Sequence, residues 1–174
     1  VRDKVLGLVG LGRIGQEVAR RAAAFQMRII AHDPFISEAV AADLGAQLVS
    51  MDDLFARADY VSLHMPSTAQ TRHLVNAERL ARARKGIHIV NTARGDLVKD
   101  EDMIAALKSG RLGYAGIDVF AGEPKINEGY YDLPNTFLFP HLGSAAIEAR
   151  NQMGFEALDN IDAFFAGKDM PFKL

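Results

Sequence analysis

The 174-residue sequence has no cysteine, no tryptophan and no long apolar run. Without cysteine the chain can form neither disulfides nor thiolate centres, which is compatible with the cytoplasmic location that we predict. No apolar run reaches the roughly 18 residues that a membrane-spanning helix needs, so we expect no membrane partner. The formal charge of -2 leaves no basic footprint for nucleic acid, and we expect no nucleic-acid partner.

Strand and helix patterns alternate from one end of the chain to the other. The predicted strands are Val5–Val9, 27–31, 47–49, Tyr60–Leu63, 87–90, 114–119 and 136–139. The predicted helices cover 14–25, 37–44, a short segment capped by Ser50, 76–84, Asp100–Lys108 and 144–165. This alternation predicts an α/β fold with a doubly wound parallel sheet, formed as a single domain over 1–174.

A glycine-rich turn joins the first strand to the first helix. Val5–Val9 runs directly into Gly10, Gly12 and Gly15, at the spacing G-x-G-x-x-G. In such a turn the first glycine permits a tight bend, the second lets the backbone approach a pyrophosphate, and the third lets the helix pack on the strand. The N–H groups at the helix start then face the anion. The helix that follows is predicted to place one apolar face on the sheet, formed by Ile14, Val18, Ala22 and Phe25.

A carboxylate follows the second predicted strand. Asp33 lies 18 residues after Gly15, close to the spacing of the acid that holds an adenosine ribose. The alternative is a glycine turn that binds nothing, with Asp33 as a helix cap.

Polar side chains follow other predicted strands as well. The carboxyl ends of parallel strands form one edge of a sheet, where ligands bind, so we expect these residues to share that edge. They are Asp33, His64, Arg94, Asp118 and His141.

Arg94 and His141 have neighbours that suit them to a ligand. Small residues flank Arg94, and its planar fork of donors suits a substrate carboxylate. The alternative is a surface arginine paired with Asp96 or Glu123. His141 lies between Pro140 and a glycine-containing turn and is a candidate general acid, or else a helix cap or a core histidine.

Two further assignments stay open on the residues alone. Glu123 beside an imidazole would raise the pKa of the histidine, but it could equally be a solvated loop carboxylate. His64 and Pro66 end the fourth strand, where the backbone would run beside a cofactor, and the His64 ring is as well explained by a structural role. No histidine and acid have metal-ligand spacing on one element, so no metal site is predicted.

These motifs together resemble a known family. The stretches are G-L-G-R-I-G (10–15), H-M-P-S-T-A-Q-T-R-H-L (64–74), I-V-N-T-A-R-G-D-L-V (89–98), G-I-D-V-F-A-G-E-P (116–124) and P-H-L-G-S-A (140–145). They resemble the NAD-binding, Rossmann-fold domain of the D-isomer-specific 2-hydroxyacid dehydrogenases, and most of all the glyoxylate/hydroxypyruvate reductases. The resemblance spans nearly the whole chain.

The resemblance implies a catalytic trio of Arg94, Glu123 and His141. The arginine would bind a small 2-oxo acid, the glutamate would tune the histidine, and the histidine would protonate the carbonyl oxygen. The implied NAD contacts, together with those expected from the motifs, are Gly10, Gly12, Arg13, Ile14, Gly15, Asp33, His64, Pro66, Thr71, Thr92, Arg94, Asp118, His141 and Gly143. Asp33 followed by Pro34 favours NAD, since a carboxylate would repel the 2′-phosphate of NADP.

The resemblance also sets expectations about what the chain does alone. Family members are roughly twice as long and carry a substrate domain that we expect to be absent from 1–174, so we expect weak or no turnover by this chain alone. A homodimer is expected, because the family's dimers form largely through this domain. Two alternatives remain: an NAD(H)-sensing interaction module similar to the family's transcriptional co-repressors, and an inert structural domain.

Overall fold

The structure is a computed structural model, and it describes residues 1–173. The chain divides into two compact units, Val1–Pro140 and His141–Leu174. The first contains seven strands: β1 Val5–Val9, β2 Arg28–His32, β3 Ala46–Leu48, β4 Tyr60–Leu63, β5 Ile87–Asn91, β6 Leu112–Ile117 and β7 Thr136–Leu138. Its helices are α1 Arg13–Ala24, α2 Glu38–Asp43, α3 Met51–Arg57, α4 Ala77–Arg82 and α5 Asp100–Lys108, with 3-10 turns at Gly95–Leu97 and Glu128–Tyr130.

The strands form one sheet in the order β3-β2-β1-β4-β5-β6-β7, and each neighbouring pair is parallel. One buried cluster joins α1 and α2 to one face of the sheet, and a larger cluster joins α3, α4 and α5 to the other. The predicted fold class, a doubly wound parallel sheet of the Rossmann type, is therefore confirmed. The extension of one domain over 1–174 stays a prediction.

Side-chain caps explain where several helices begin. The Ser50 hydroxyl accepts a hydrogen bond from the Asp53 N–H at 3.1 Å, which confirms the predicted cap of α3. Ser37 and Asn76 cap α2 and α4 in the same way. Each cap satisfies an N–H group that has no partner within the first turn of its helix.

The buried face of α1 differs from the predicted one. Gly15, Ala19 and Ala22 are the buried residues of this helix, whereas Ile14 and Phe25 are exposed. The helix is thus turned so that its small residues face the sheet, because a Cβ atom at Gly15 would collide with the Gly10 carbonyl oxygen. Of the four predicted residues, Ala22 is buried and Val18 packs against the same cluster, so the predicted face was right in part.

The second unit contains one long helix, α6, Ile147–Phe165. It begins three residues later than the predicted start at Ser144. None of its residues is buried, and the Asn160 amide group exchanges two hydrogen bonds with the backbone of Phe172. Among the described residues, no helix is long and apolar enough to cross a membrane.

The half-buried side chain of Arg111, just before β6, caps the C-terminal end of α4. Its guanidinium donates hydrogen bonds to the carbonyl oxygens of Leu80 and Ala81, each at 2.7 Å, and to that of Ala83. These carbonyls belong to the last turn of the helix and have no partners further along it. One side chain therefore joins α4 to the start of β6.

We predict that Arg111→Ala lowers the free energy of unfolding by about 2–3 kcal/mol, because the helix end loses charge-assisted donors. Urea unfolding followed by circular dichroism measures the change. The matched control is Arg82→Ala, which removes an exposed arginine that pairs with the exposed acids Glu78 and Asp52 and should cost about 0.5 kcal/mol or less. Equal effects of the two substitutions would contradict the assigned role of Arg111.

Candidate functional site

The strand order of the sheet reverses between β1 and β4. Gly10 follows β1 and His64 follows β4, so both lie at the carboxyl edge of the sheet, at this reversal point. The His64 N–H donates to the Val9 carbonyl at 2.7 Å, and the Gly10 N–H donates to the His32 carbonyl at 3.0 Å. Open α/β sheets bind ligands in the crevice at such a point.

Steric crowding requires glycine at two positions of the turn. Gly10 has φ +94°, a conformation that side chains rarely adopt, and a Cβ atom there would lie 2.6 Å from the His64 carbonyl oxygen. A Cβ atom at Gly15 would collide with the Gly10 carbonyl. The turn therefore brings β1, α1 and the end of β4 closer together than any side chain would allow.

Gly12 differs from the other two glycines because a Cβ atom there would meet nothing within 4 Å. It is the N-cap of α1 and leaves the first turn without a side-chain cap. Arg13 and Ile14, which follow it, are both exposed. Free backbone donors at a helix start, the positive end of the helix dipole and an open glycine face together fit a pyrophosphate group.

The Asp33 carboxylate reaches this turn. One oxygen, Oδ2, accepts a hydrogen bond from the Leu11 N–H at 2.7 Å, and the other, Oδ1, accepts one from the Phe35 N–H at 2.9 Å. Asp33 is therefore not a helix cap, and it lies directly beside the glycine turn as its spacing predicted.

His64 is half-buried beneath the turn, with its Nε2 atom 2.9 Å from the Ser62 hydroxyl. Burial lowers the pKa of His64 to about 4, so the ring is neutral at neutral pH. The contact with Ser62 supports the structural role that the sequence left open, and a contact with a cofactor stays a prediction.

Pro66 and Thr71 lie in the loop after β4. The Thr71 hydroxyl donates to the Pro66 carbonyl at 2.8 Å and accepts a hydrogen bond from the Thr68 N–H at 2.7 Å. In this conformation the hydroxyl proton is used within the loop. A contact between Thr71 and phosphate stays a prediction.

A buried asparagine at the end of β5 holds the loop that contains Thr92 and Arg94. The Asn91 side chain is 1% exposed, donates to the Arg94 carbonyl at 2.9 Å and accepts from the Ala93 N–H at 3.1 Å. Both hydrogen bonds fix the backbone on either side of the arginine. Thr92 and Arg94 are exposed, so their side chains are available at the sheet edge.

The loops after β5 and β6 meet at Gly95. A Cβ atom at Gly95 would overlap the backbone of Phe120 and Ala121, so only glycine allows the two loops to touch. Asp118, directly after β6, is buried, and its N–H donates to the Asn91 carbonyl at 2.9 Å. The structure thus brings Arg94, Asp118 and the loop of Glu123 to one edge.

The loop of Glu123 is fixed at both ends. The Glu123 Oε1 atom accepts a hydrogen bond from the Phe120 N–H at 2.7 Å, so it is more than a solvated carboxylate. At the far end the buried Tyr130 hydroxyl donates to Asp100 at 2.8 Å, at the start of α5. Burial raises the pKa of both Tyr130 and Asp100 above their ordinary values.

His141 and Gly143 belong to the second unit and are exposed at its beginning. His141 has φ +58°, a left-handed backbone conformation that is uncommon for a residue other than glycine. The position of His141 within the catalytic trio stays a prediction.

Three contributors to the site were missed by reasoning from the sequence: the Asn91 side chain, the Leu11 N–H group and the close approach at Gly95. Asn91 carried a signal, since a polar residue directly after a buried strand faces the sheet edge. The hydrogen bond of Leu11 and the loop contact of Gly95 depend on tertiary structure and left no local pattern.

Comparison with known proteins agrees with this geometry. The family described as "D-isomer specific 2-hydroxyacid dehydrogenase, NAD binding domain" matches residues 1–143. The chain is 51% identical to a glycerate dehydrogenase of Hyphomicrobium methylovorum, over 99% of this chain and 54% of that protein. It is 44% identical to a hydroxypyruvate reductase of Thermotoga maritima, over 91% of this chain and 52% of that protein.

A solved structure shows the same fold. The crystal structure of a glyoxylate reductase from Paecilomyes thermophila superposes with a TM-score of 0.89 at 40% identity, covering 93% of this chain and 49% of that one. The chain thus spans about half the length of each of these three relatives. With the glycine turn, Asp33 and Arg94 on one sheet edge, the chain belongs to the NAD-binding domain family of the D-isomer-specific 2-hydroxyacid dehydrogenases.

Proposed function

We propose that this NAD-binding domain forms the cofactor half of an oxidoreductase that interconverts small 2-oxo acids, of the glyoxylate or hydroxypyruvate type, and D-2-hydroxy acids. One observation carries the proposal: the glycine turn lies at the reversal point of the sheet, with Gly12 open and the Asp33 carboxylate hydrogen-bonded to the same turn. The names of the relatives support the substrate class.

The residues of the site fit a dinucleotide. The open Gly12 and the uncapped start of α1 would hold the pyrophosphate, and Asp33 would accept hydrogen bonds from the adenosine ribose. A carboxylate at this position repels a 2′-phosphate, which favours NAD over NADP. When bound, the nicotinamide supplies the hydride.

The chain's own residues would bind and protonate the substrate. Arg94 is exposed on a loop that Asn91 fixes, so its guanidinium can form paired hydrogen bonds with the carboxylate of a 2-oxo acid. His141 would donate a proton to the carbonyl oxygen. Glu123 would act together with that histidine, as the resemblance implies.

The interaction-module alternative has no observation in its favour. The relatives described above are named as a dehydrogenase and two reductases. A cytoplasmic location stays a prediction.

We expect the chain to bind NADH tightly and NADPH at least about tenfold more weakly, because Asp33 would face the 2′-phosphate. Calorimetric titration with each dinucleotide measures both affinities. Binding of neither dinucleotide would contradict the proposed cofactor site for this chain, and equal binding of both would contradict the assignment of Asp33 to the ribose.

A second prediction separates binding from folding at Gly12. Gly12→Ala should leave the free energy of unfolding within about 0.5 kcal/mol of wild type, since a Cβ atom there meets nothing. It should still weaken NADH binding at least about tenfold, because the methyl group occupies the space of the pyrophosphate. The matched control is Gly154→Ala in α6, where a Cβ atom also meets nothing and NADH binding should not change.

We predict slow or no reduction of glyoxylate and hydroxypyruvate by 1–174 alone, because turnover requires a closed cleft that orients the 2-oxo acid. Oxidation of NADH followed at 340 nm measures the rate, first for the chain and then for the chain fused to the substrate domain of a relative. A rate of about 10 per second for the chain alone would contradict this prediction.

In an active fusion, Glu123→Gln should lower the reductase pH profile (kcat against pH) by at least about tenfold, because the proposed trio loses the carboxylate that acts with His141. Glu128→Gln, an exposed acid of the same loop, should leave the profile unchanged. The two variants are compared by kcat measured across pH 5 to 9, roughly the range in which a histidine titrates.

We further infer a homodimer. The support is the pairing through this domain that the resemblance implies, together with exposed aromatic residues on the edge strand β7 and after it, Phe137 and Phe139. A monomeric mass by light scattering at concentrations of about 100 μM would contradict it.

A further inference from the structure

Both oxygens of the Asp33 carboxylate accept hydrogen bonds from backbone groups of two separate loops. Oδ2 accepts from the Leu11 N–H in the glycine turn, and Oδ1 accepts from the Phe35 N–H in the loop after β2. The first bond joins residues 22 positions apart in the chain. The carboxylate therefore connects two loops on the side of the sheet where a cofactor would bind.

Besides Asp33, the Gln16 side chain also holds Leu11, by donating a hydrogen bond to its carbonyl oxygen at 3.2 Å. The Leu11 side chain is fully buried, and the residue lies between Gly10 and Gly12 of the turn. A buried or half-buried N–H group without a partner is unfavourable, so without Asp33 this group would have to find water or another acceptor. Either change would loosen the peptide between Gly10 and Leu11, next to Gly12, where the pyrophosphate would approach.

The two hydrogen bonds leave Asp33 able to bind a ligand. An ionised carboxylate has about four lone-pair sites, of which the Leu11 and Phe35 groups use two. Two remain for ribose hydroxyl groups. One side chain can therefore hold the turn and bind the ribose at the same time. A short hydrogen bond to an ionised acceptor is also one of the stronger kinds of hydrogen bond.

We propose that Asp33 is a positioning residue for the phosphate-binding turn, in addition to its contact with the ribose. This role rests on the proposed binding of NAD(H). It is distinct from the ribose contact because it operates before any ligand arrives, and because it affects ligands that carry no ribose.

Inorganic pyrophosphate separates the two roles, because it can contact the glycine turn but has no ribose. Removing a negative charge near an anion site should by itself strengthen the binding of pyrophosphate. Losing the hydrogen bond to the Leu11 N–H should weaken the binding of pyrophosphate. For Asp33→Ala we expect about tenfold weaker pyrophosphate binding, measured by NMR titration of the amide groups of residues 10–15.

Two variants serve as controls. Asp33→Asn keeps an oxygen that can accept from the Leu11 N–H, so it should bind pyrophosphate at least as well as wild type while losing affinity for NADH. Asp43→Ala removes an exposed acid from the end of α2 and matches the change in charge. It should bind both ligands as wild type does.

Amide hydrogen exchange of the ligand-free chain gives a second, independent readout. The Leu11 N–H should exchange at least about tenfold faster in Asp33→Ala than in wild type, and no faster in Asp33→Asn. An Asp33→Ala chain that fails to fold while Asp33→Asn folds also supports a structural role for the carboxyl oxygen.

The outcomes distinguish this inference from the proposed function. Wild-type NADH binding combined with unchanged or tighter pyrophosphate binding in Asp33→Ala, or with unchanged exchange at Leu11, overturns the positioning role alone. Absence of NADH binding by the wild type overturns the proposed function, whatever the variants do.

Discussion

The close approach of the Gly10 turn to the end of β4 is the constraint on which the site depends. A strand that ends between two neighbours must turn into its helix without colliding with either. Gly10 does so with a backbone conformation that few other residues adopt, under the carbonyl group of His64. The helix then starts so near the sheet that Gly15 touches the carbonyl group of Gly10. Uncapped helix donors are thereby fixed at the sheet edge.

The part of the edge that carries Arg94 is organised by polar contacts and by a second close approach. Asn91 uses its buried amide to shape the loop around Arg94, and Gly95 lets that loop lie against the backbone of Phe120. The Glu123 loop is then held by its own hydrogen bond to Phe120 and by Tyr130 at its other end. None of these positioning groups needs to touch substrate, yet together they decide where an arginine and a glutamate lie.

The sequence predicted the bounds of several strands and helices well, and the buried face of a helix less well. Val5–Val9, Tyr60–Leu63 and Asp100–Lys108 are found with the predicted bounds, because each combines a clear periodicity with unambiguous flanking residues. The predicted buried face of α1 was right for Val18 and Ala22 and wrong for Ile14 and Phe25, since hydrophobic periodicity follows large side chains, whereas this helix also packs through glycine and alanine. Strand β6 starts two residues earlier than predicted, because Leu112 pairs with Ile87 before a register shift, and short apolar runs do not reveal such a pair.

The sequence could predict those site residues that directly follow a strand. Asp33, Arg94 and Asp118 lie at the carboxyl edge because parallel strands bring their ends together. The partner of the Asp33 carboxylate was not predictable, since a hydrogen bond across 22 residues leaves no local pattern. The same holds for Gly95, whose need to be glycine comes from the backbone of Phe120 and Ala121, in the loop after β6.

The three glycines of the turn are subject to different kinds of selection. Gly10 and Gly15 are required by the chain's own atoms, whereas a Cβ atom at Gly12 would meet none of the described residues, so only the proposed ligand would require Gly12 to be small. A descendant that kept this fold but no longer bound a dinucleotide would retain the outer two glycines and be free to change the middle one. The residue at position 12 would therefore indicate whether a lineage still uses the cofactor. Glycines at positions 10 and 15 would indicate only that the chain still folds.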